Sequence, residues 1–168
     1  MNIVNDWQTK SLPYPDTDGI MRAPAFINDV ARARLSELAD VSDYVYYSLM
    51  LEEGYPELSA LFDKLAMTEM RHYLLLGRVI IRLGGDPAVR VRQTNPFYGK
   101  PERLDVCSVR RMVATALDRE QSAMNTYKKI ACTMSCDSAA ASLLERIAAD
   151  EEHHARMLSR ALDSLTGK

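Results

Sequence analysis

The stretch that decides the fold occurs twice, as LFDKLAMTEMRH at residues 61–72 and as LLERIAADEEHH at residues 143–154. The two segments align without a gap at an offset of 82 residues. The alignment pairs two glutamates and two histidines, Glu69 with Glu151 and His72 with His154. Apolar residues recur in both segments at intervals of three and four, which is typical of an amphipathic helix. The repeat therefore predicts two similar helical hairpins related by a pseudo-twofold axis.

The run DEEHH at residues 150–154 contains two overlapping carboxylate-x-x-His frames. A helix can direct only one of these frames at a given target. The repeat selects Glu151 with His154. His153 then lies off that helix face, and we expect it to contact solvent or residues outside the ligand set. Asp150 is expected to orient a histidine on a neighbouring helix, as carboxylates near metal ligands do. Its repeat counterpart is Thr68, so this contact is expected on one side only.

Proline and glycine divide the rest of the chain. Pro13, Pro15 and Gly19 indicate an extended N-terminal arm over residues 1–22, followed by one domain over residues 23–168. Caps and apolar periodicity predict four helices, over about 24–53, 56–84, 104–133 and 137–165. The 18-residue segment DPAVRVRQTNPFYGKPER separates the second helix from the third. An all-α, antiparallel four-helix bundle with a long middle crossover is the fold that this order predicts.

Composition excludes several classes of function. The chain has 168 residues, is 47% apolar and 26% charged, and carries a net charge of -2 with both signs interspersed. We expect no binding to nucleic acid or to a membrane, because no basic stripe or long apolar run is present. The N-terminus lacks an apolar signal region, which predicts a cytoplasmic protein. Three cysteines without a Cys-x-x-Cys pair predict packed free thiols.

Each predicted helix carries one glutamate at the centre of its apolar stripe. These are Glu37, Glu69, Glu120 and Glu151. Four carboxylates in one core cannot all ionise without compensation, since removing each from water costs several kcal/mol. Two divalent metal ions would neutralise them, and His72 and His154 would add one nitrogen to each ion. This oxygen-rich set suits iron or manganese rather than structural zinc.

The first and third helices also repeat each other. Tyr44 follows Glu37 by seven residues, and Tyr127 follows Glu120 by seven, which places each pair on one helix face. We expect each tyrosine hydroxyl to donate a hydrogen bond to a metal-binding glutamate across the bundle. An ordinary core position is the alternative for both tyrosines.

Four segments together resemble the ferritin-like superfamily, and most of all bacterial rubrerythrin- and bacterioferritin-related proteins. They are SELADVSDY (36–44), TEMRH (68–72), DREQSAMNTY (118–127) and LLERIAADEEHH (143–154). The resemblance implies a di-iron carboxylate centre that reacts with dioxygen or hydrogen peroxide, either oxidising Fe(II) or reducing peroxide, with an external electron donor. It assigns Glu37, Glu69 and His72 to one metal ion. It assigns Glu120, Glu151 and His154 to the other, with Glu69 and Glu151 as bridges. A homodimer is a further family expectation.

The sequence also departs from these relatives. Leu117 and Ala123 occupy positions beside the helix-three glutamate where rubrerythrins place a second glutamate, and no cysteine-rich electron-transfer segment is present. The chain ends just after helix four, so the short fifth helix of storage cages is not expected. Met70 aligns with the haem-binding methionine of bacterioferritins, but we expect it to pack and haem to be absent. The alternatives are a dimanganese catalase and a metal-binding or iron-handling protein without turnover.

Overall fold

The computed structural model describes residues 13–89, 104–134 and 138–166. It contains a short 3₁₀ turn at Pro24–Phe26 and four long helices: α1 (Ile27–Leu51), α2 (Pro56–Leu83), α3 (Val106–Thr133) and α4 (Ser138–Thr166). No strand occurs in these ranges, so the prediction of an all-α four-helix fold is confirmed. The predicted turn before α4, most of the middle crossover and residues 1–12 of the predicted arm lie outside the described residues.

Local signals in the sequence fix several helix ends. Pro56 occupies the first turn of α2, where its missing N–H costs nothing. Gly84 ends α2 in the left-handed conformation, with φ 95°, and its N–H bonds back to the last turn. Asp105 precedes α3, and its side chain accepts a hydrogen bond from the Ser108 N–H at 2.7 Å. These caps explain why both helices occupy nearly the predicted ranges.

Two predictions were wrong in detail. Helix α1 ends at Leu51 rather than Glu53, and residues 52–54 form a turn that the bond from the Tyr55 N–H to the Leu51 carbonyl closes at 2.8 Å. Cys107 and Cys132 are exposed rather than packed, since both lie on outward faces of α3, and Cys136 lies outside the described residues. Periodicity alone did not separate a small apolar residue on the surface from one in the core.

The helices form two antiparallel hairpins, α1 with α2 and α3 with α4. Tyr44 of α1 bonds to Glu120 of α3, and Tyr127 of α3 bonds to Glu37 of α1, so these two helices are also antiparallel. Helices α2 and α3 are therefore parallel, and the chain between them connects opposite ends of the bundle. That geometry requires the long crossover which the sequence predicted.

The core has two apolar layers with a polar layer between them. One layer includes Val30, Leu76, Val79, Leu144 and Ile147. The other includes Leu51, Phe62, Leu65, Val113 and Leu158. Both layers are almost completely removed from water. They enclose the middle of the bundle, which positions the polar layer in an environment of low dielectric constant.

The described part of the N-terminal arm packs on the bundle. Residues 13–22 form neither helix nor strand. Ile20 is buried in the first apolar layer, and Asp18 pairs with Arg82 at the end of α2. Among the described helices, none has the length and hydropathy needed to cross a membrane.

Candidate metal centre

The polar layer consists of six side chains that the sequence analysis singled out. They are Glu37, Glu69, His72, Glu120, Glu151 and His154, and each is at most 2% exposed. One glutamate comes from each helix, and the two histidines come from α2 and α4, one turn after Glu69 and Glu151 respectively. The structure thus brings all six predicted residues to one place.

The first half of the centre surrounds His72. Its Nδ1 atom lies 2.9 Å from Glu69 Oε2, 3.0 Å from Glu151 Oε1 and 3.6 Å from Glu37 Oε2. Potential ligand atoms of these four residues all lie within 4.8 Å of one another. One imidazole nitrogen and several carboxylate oxygens at this spacing are suited to a single divalent ion.

The second half repeats this arrangement around His154. Its Nδ1 atom lies 3.0 Å from Glu69 Oε1, 3.1 Å from Glu120 Oε2 and 3.6 Å from Glu151 Oε2. These four residues form a second cluster within the same 4.8 Å limit. The two imidazole rings are stacked with their centroids 6.1 Å apart. The pseudo-twofold symmetry of the sequence therefore appears in the geometry of the centre.

Glu69 and Glu151 belong to both clusters. Each directs one carboxylate oxygen at His72 and the other at His154. In both residues Oε1 is buried and lies 3.0 Å from an imidazole Nδ1, but it has no partner with hydrogen-bond geometry among the described residues. A buried carboxylate oxygen without a hydrogen bond is costly unless a cation accompanies it. The donor set therefore fits two metal ions, and Glu69 and Glu151 are the residues that would contribute to both.

Burial and mutual charge shift the pKa of the groups in the centre. Burial raises the pKa of Glu37 and Glu120 well above the ordinary carboxyl value, and the charges of Glu69 and Glu151 add to this effect. Burial opposes ionisation of Glu69 too, but the nearby imidazolium groups lower its pKa. Although burial disfavours charge on His72 and His154, the carboxylates raise the pKa of both well above its ordinary value. Protons on the two imidazoles and on Glu37 and Glu120 are thereby favoured, which lessens the negative charge that the bundle buries.

The two predicted tyrosines lie directly beside the centre. The Tyr44 hydroxyl donates a hydrogen bond to Glu120, and the Tyr127 hydroxyl donates one to Glu37. Each bond joins α1 to α3 in a fully buried environment. Each tyrosine thus fixes the carboxylate that belongs to only one cluster.

Asp150 lies where the sequence analysis expected it, behind a histidine of the neighbouring helix. Its Oδ2 atom is 3.2 Å from His72 Nε2, and its Oδ1 atom is 2.6 Å from Arg146 Nη1. Burial would raise the pKa of Asp150, but hydrogen bonds from His72, Tyr14 and Arg146 lower it to about 2. The anionic aspartate can therefore accept a hydrogen bond from Nε2–H of His72. This leaves Nδ1 of His72 free to bind a metal ion. His153 is half-buried and belongs to neither cluster.

Two contacts were missed from the sequence. Tyr14, in the N-terminal segment, donates a hydrogen bond to Asp150 Oδ2 at 2.6 Å. Asp40 is 6% exposed, one turn after Glu37, and pairs with Arg119 at 2.8 Å. Burial raises the pKa of Asp40 to about 7, although Arg119 opposes the shift. The helical period could have revealed Asp40, whereas no pattern in the sequence connects Tyr14 to the bundle.

Comparison with known proteins agrees with this fold. The chain is similar to a bacterioferritin from Desulfovibrio desulfuricans, with a TM-score of 0.71 and 24% identity over 85% of this chain and 81% of that one. It is similar to a bacterioferritin from Rhodobacter capsulatus, with a TM-score of 0.70 and 20% identity over 86% of this chain and 87% of that one. No curated protein sequence matches the chain. The ferritin family, described as a ferritin-like domain, matches residues 36–167, and this protein therefore belongs to that family.

Proposed function

We propose that this protein is a non-haem di-iron oxidoreductase that reacts with dioxygen or hydrogen peroxide. The observation that carries the proposal is the position of Glu69 and Glu151, each of which directs one oxygen at each of the two clusters. Carboxylates with one imidazole for each ion favour iron or manganese. Iron is further supported because the similar Desulfovibrio desulfuricans bacterioferritin is described as having a diiron site in different catalytic states.

Two iron ions would supply the oxidant with two electrons, one from each ion, and an external donor would return them. The chain's own residues would hold and shield this chemistry. Tyr44 and Tyr127 fix the orientation of Glu120 and Glu37, while the two apolar layers restrict water. Glu69 and Glu151 would hold both ions at once, so that the ions can act on one oxidant molecule.

Anaerobic titration with Fe(II) tests this function. We expect binding to saturate at two ions per chain, because the centre has two clusters. Addition of dioxygen or hydrogen peroxide should then oxidise both ions faster than the same iron in buffer, as measured by ferric absorbance. Saturation below two ions, or oxidation no faster than in buffer, would contradict the proposal.

The same protein reconstituted with Mn²⁺ tests the alternative enzyme. Oxygen evolution from hydrogen peroxide without a donor would favour a dimanganese catalase, because peroxide then serves as both oxidant and reductant. Two bound ions with neither iron oxidation nor oxygen evolution would indicate an iron-handling protein without turnover. Both assays depend on the same six ligands. They therefore distinguish which reaction the centre catalyses, and they do not test where the centre lies.

We also propose that the outer face of α1 and α2 pairs with a second copy of the chain. Eight of the ten large hydrophobic side chains that are exposed in the described ranges lie there: Leu35, Val45, Tyr46, Leu49, Met67, Met70, Leu74 and Ile81. Met67, Leu74 and Ile81 are seven residues apart and therefore form one stripe. Apolar surface of this kind is typical of an interface. In this proposal Met70, 39% exposed, is a packing contact rather than a haem ligand.

Substitution of Leu74 tests the dimer. Leu74 is 57% exposed, so Leu74→Lys should leave the bundle folded and yield a monomer, because a charge would be buried at the interface. Asn125→Lys, which places the same charge on an exposed position of α3, should remain dimeric. Light scattering after size-exclusion chromatography gives the masses. A monomeric wild type, or a dimeric Leu74→Lys variant, would contradict the pairing.

A further inference from the structure

The N-terminal segment contributes one side chain to the surroundings of the centre. Tyr14 lies between Pro13 and Pro15, far from either helical repeat in sequence. Its hydroxyl donates to Asp150 Oδ2 at 2.6 Å and lies 3.2 Å from His72 Nε2. Its ring meets the imidazole of His72 edge-on, with centroids 6.1 Å apart. A residue outside the bundle repeat thus contacts both a proposed metal ligand and the aspartate behind it.

Tyr14 is held in this position from several sides. The guanidinium groups of Arg71 and Arg146 lie 4.5 and 4.7 Å from its ring centre, and both contacts favour the aromatic ring. The ring also packs against the first apolar layer. Arg146 in addition pairs with Asp150 Oδ1, so that Asp150 is restrained at both oxygens. The hydroxyl of Tyr14 is therefore well placed to fix the orientation of Asp150.

The repeat counterpart of Asp150 is a different kind of residue. Thr68 is the repeat counterpart of Asp150, and its hydroxyl donates to the Lys64 carbonyl of its own helix at 3.1 Å. Position 68 therefore supplies no carboxylate to the other half of the centre. The six proposed ligands are symmetric, but the residues at positions 68 and 150 are chemically different.

We propose that Tyr14 is a positioning residue for the ion beside His72, and that loss of its hydroxyl weakens the binding of that ion alone. This inference rests on the proposed function. The Tyr14 hydroxyl holds Asp150, and Asp150 accepts a hydrogen bond from Nε2–H of His72, which leaves Nδ1 directed at the ion. Groups that support a ligating histidine in this way typically change metal affinity by about 10- to 100-fold.

Titration of the metal-free full chain with Co²⁺, followed by its visible absorption, tests the inference without any assay of turnover. Tyr14→Phe keeps the ring and removes only the hydroxyl. We expect wild type to bind two ions, and the variant to bind one with unchanged affinity and the other about 10- to 100-fold more weakly. Tyr55→Phe, a half-buried tyrosine at the turn between α1 and α2, is the matched control and should bind as wild type does.

Asp150→Asn supplies a second variant on the same path. If Tyr14 acts through Asp150, the double variant should lose no more affinity than the larger of the two single losses. A purely structural role would instead lower the unfolding temperature of the metal-free protein and weaken both ions alike, and that result would overturn the inference. Unchanged affinity for both ions in Tyr14→Phe would also overturn it. Failure of wild type to bind two ions would overturn the proposed function as well.

Discussion

Replacement of Glu69 by alanine is expected to abolish binding at both metal positions. Glu69 directs Oε2 at His72 and Oε1 at His154, so one side chain serves both clusters. Its removal takes one anionic ligand from each ion and leaves the remaining charges unbalanced inside the bundle. Elemental analysis after reconstitution with Fe(II) without oxygen should give less than one ion per chain, compared with two in wild type.

The comparison with Glu37→Ala makes this prediction specific. Glu37 belongs only to the His72 cluster, so its loss should leave the ion beside His154 in place. Glu152→Ala is the control, because Glu152 is exposed and pairs with Arg156 on the surface of α4. It should retain both ions. If Glu69→Ala binds two ions, or if Glu37→Ala also loses both, the assignment of Glu69 as the shared ligand is wrong.

The helical repeat is the reason that so much of the centre could be predicted. Glu69 and His72 share a register with Glu151 and His154, and that register resolved the ambiguity between His153 and His154. Helix ends were predictable where a residue has a strong backbone preference, as at Pro56 and Gly84. The end of α1 was not, because Leu51 to Gly54 contains no such signal until the glycine itself.

The contacts that could not be predicted lie outside the repeat. Tyr14 belongs to a segment without helix or strand, so no period relates its position to α2 and α4. Its contact with Asp150 depends on how this segment packs on the bundle, which local sequence does not determine. Asp40 is a different case. It lies on the same face as Glu37, so its burial follows from the helical period. Its ion pair with Arg119 could not be predicted without knowing how α1 and α3 face each other.

Removal of the metal ions is expected to destabilise the protein, and to do so more strongly as the pH rises. Without metal, protons on His72, His154, Glu37 and Glu120 neutralise the centre, because the pKa of each is raised in the fold. A group with a raised pKa stabilises the fold below its unfolded pKa, which is 6.5 for histidine and 4.5 for glutamate. That contribution is lost as the pH rises through the folded pKa.

Asp150 has the opposite sign and does not alter this expectation. Its pKa is lowered to about 2, so its contribution is present above the unfolded pKa of 3.8 and is lost only as the pH falls through the folded value. At neutral and alkaline pH the trend is therefore set by the groups whose pKa is raised, which are the histidines, Glu37, Glu120 and Asp40. Divalent ions would displace protons from these groups, since metal ligands must be deprotonated. Metal affinity should consequently increase with pH while the metal-free protein becomes less stable.

Calorimetry of metal-free and Mn²⁺-loaded protein at several pH values measures both effects. With each site at 100 times its Kd, each ion stabilises the fold by about 2.7 kcal/mol. Two ions would then raise the unfolding temperature by roughly 10 to 20 °C, given about 2 to 4 °C for each kcal/mol in a chain of this size. The Glu69→Ala variant should show little dependence on metal at any pH. The difference in unfolding temperature between metal-loaded and metal-free protein should grow as the pH rises, because protons then no longer compensate the charge of the four central glutamates. A difference that stays constant or shrinks would contradict the exchange of metal for protons.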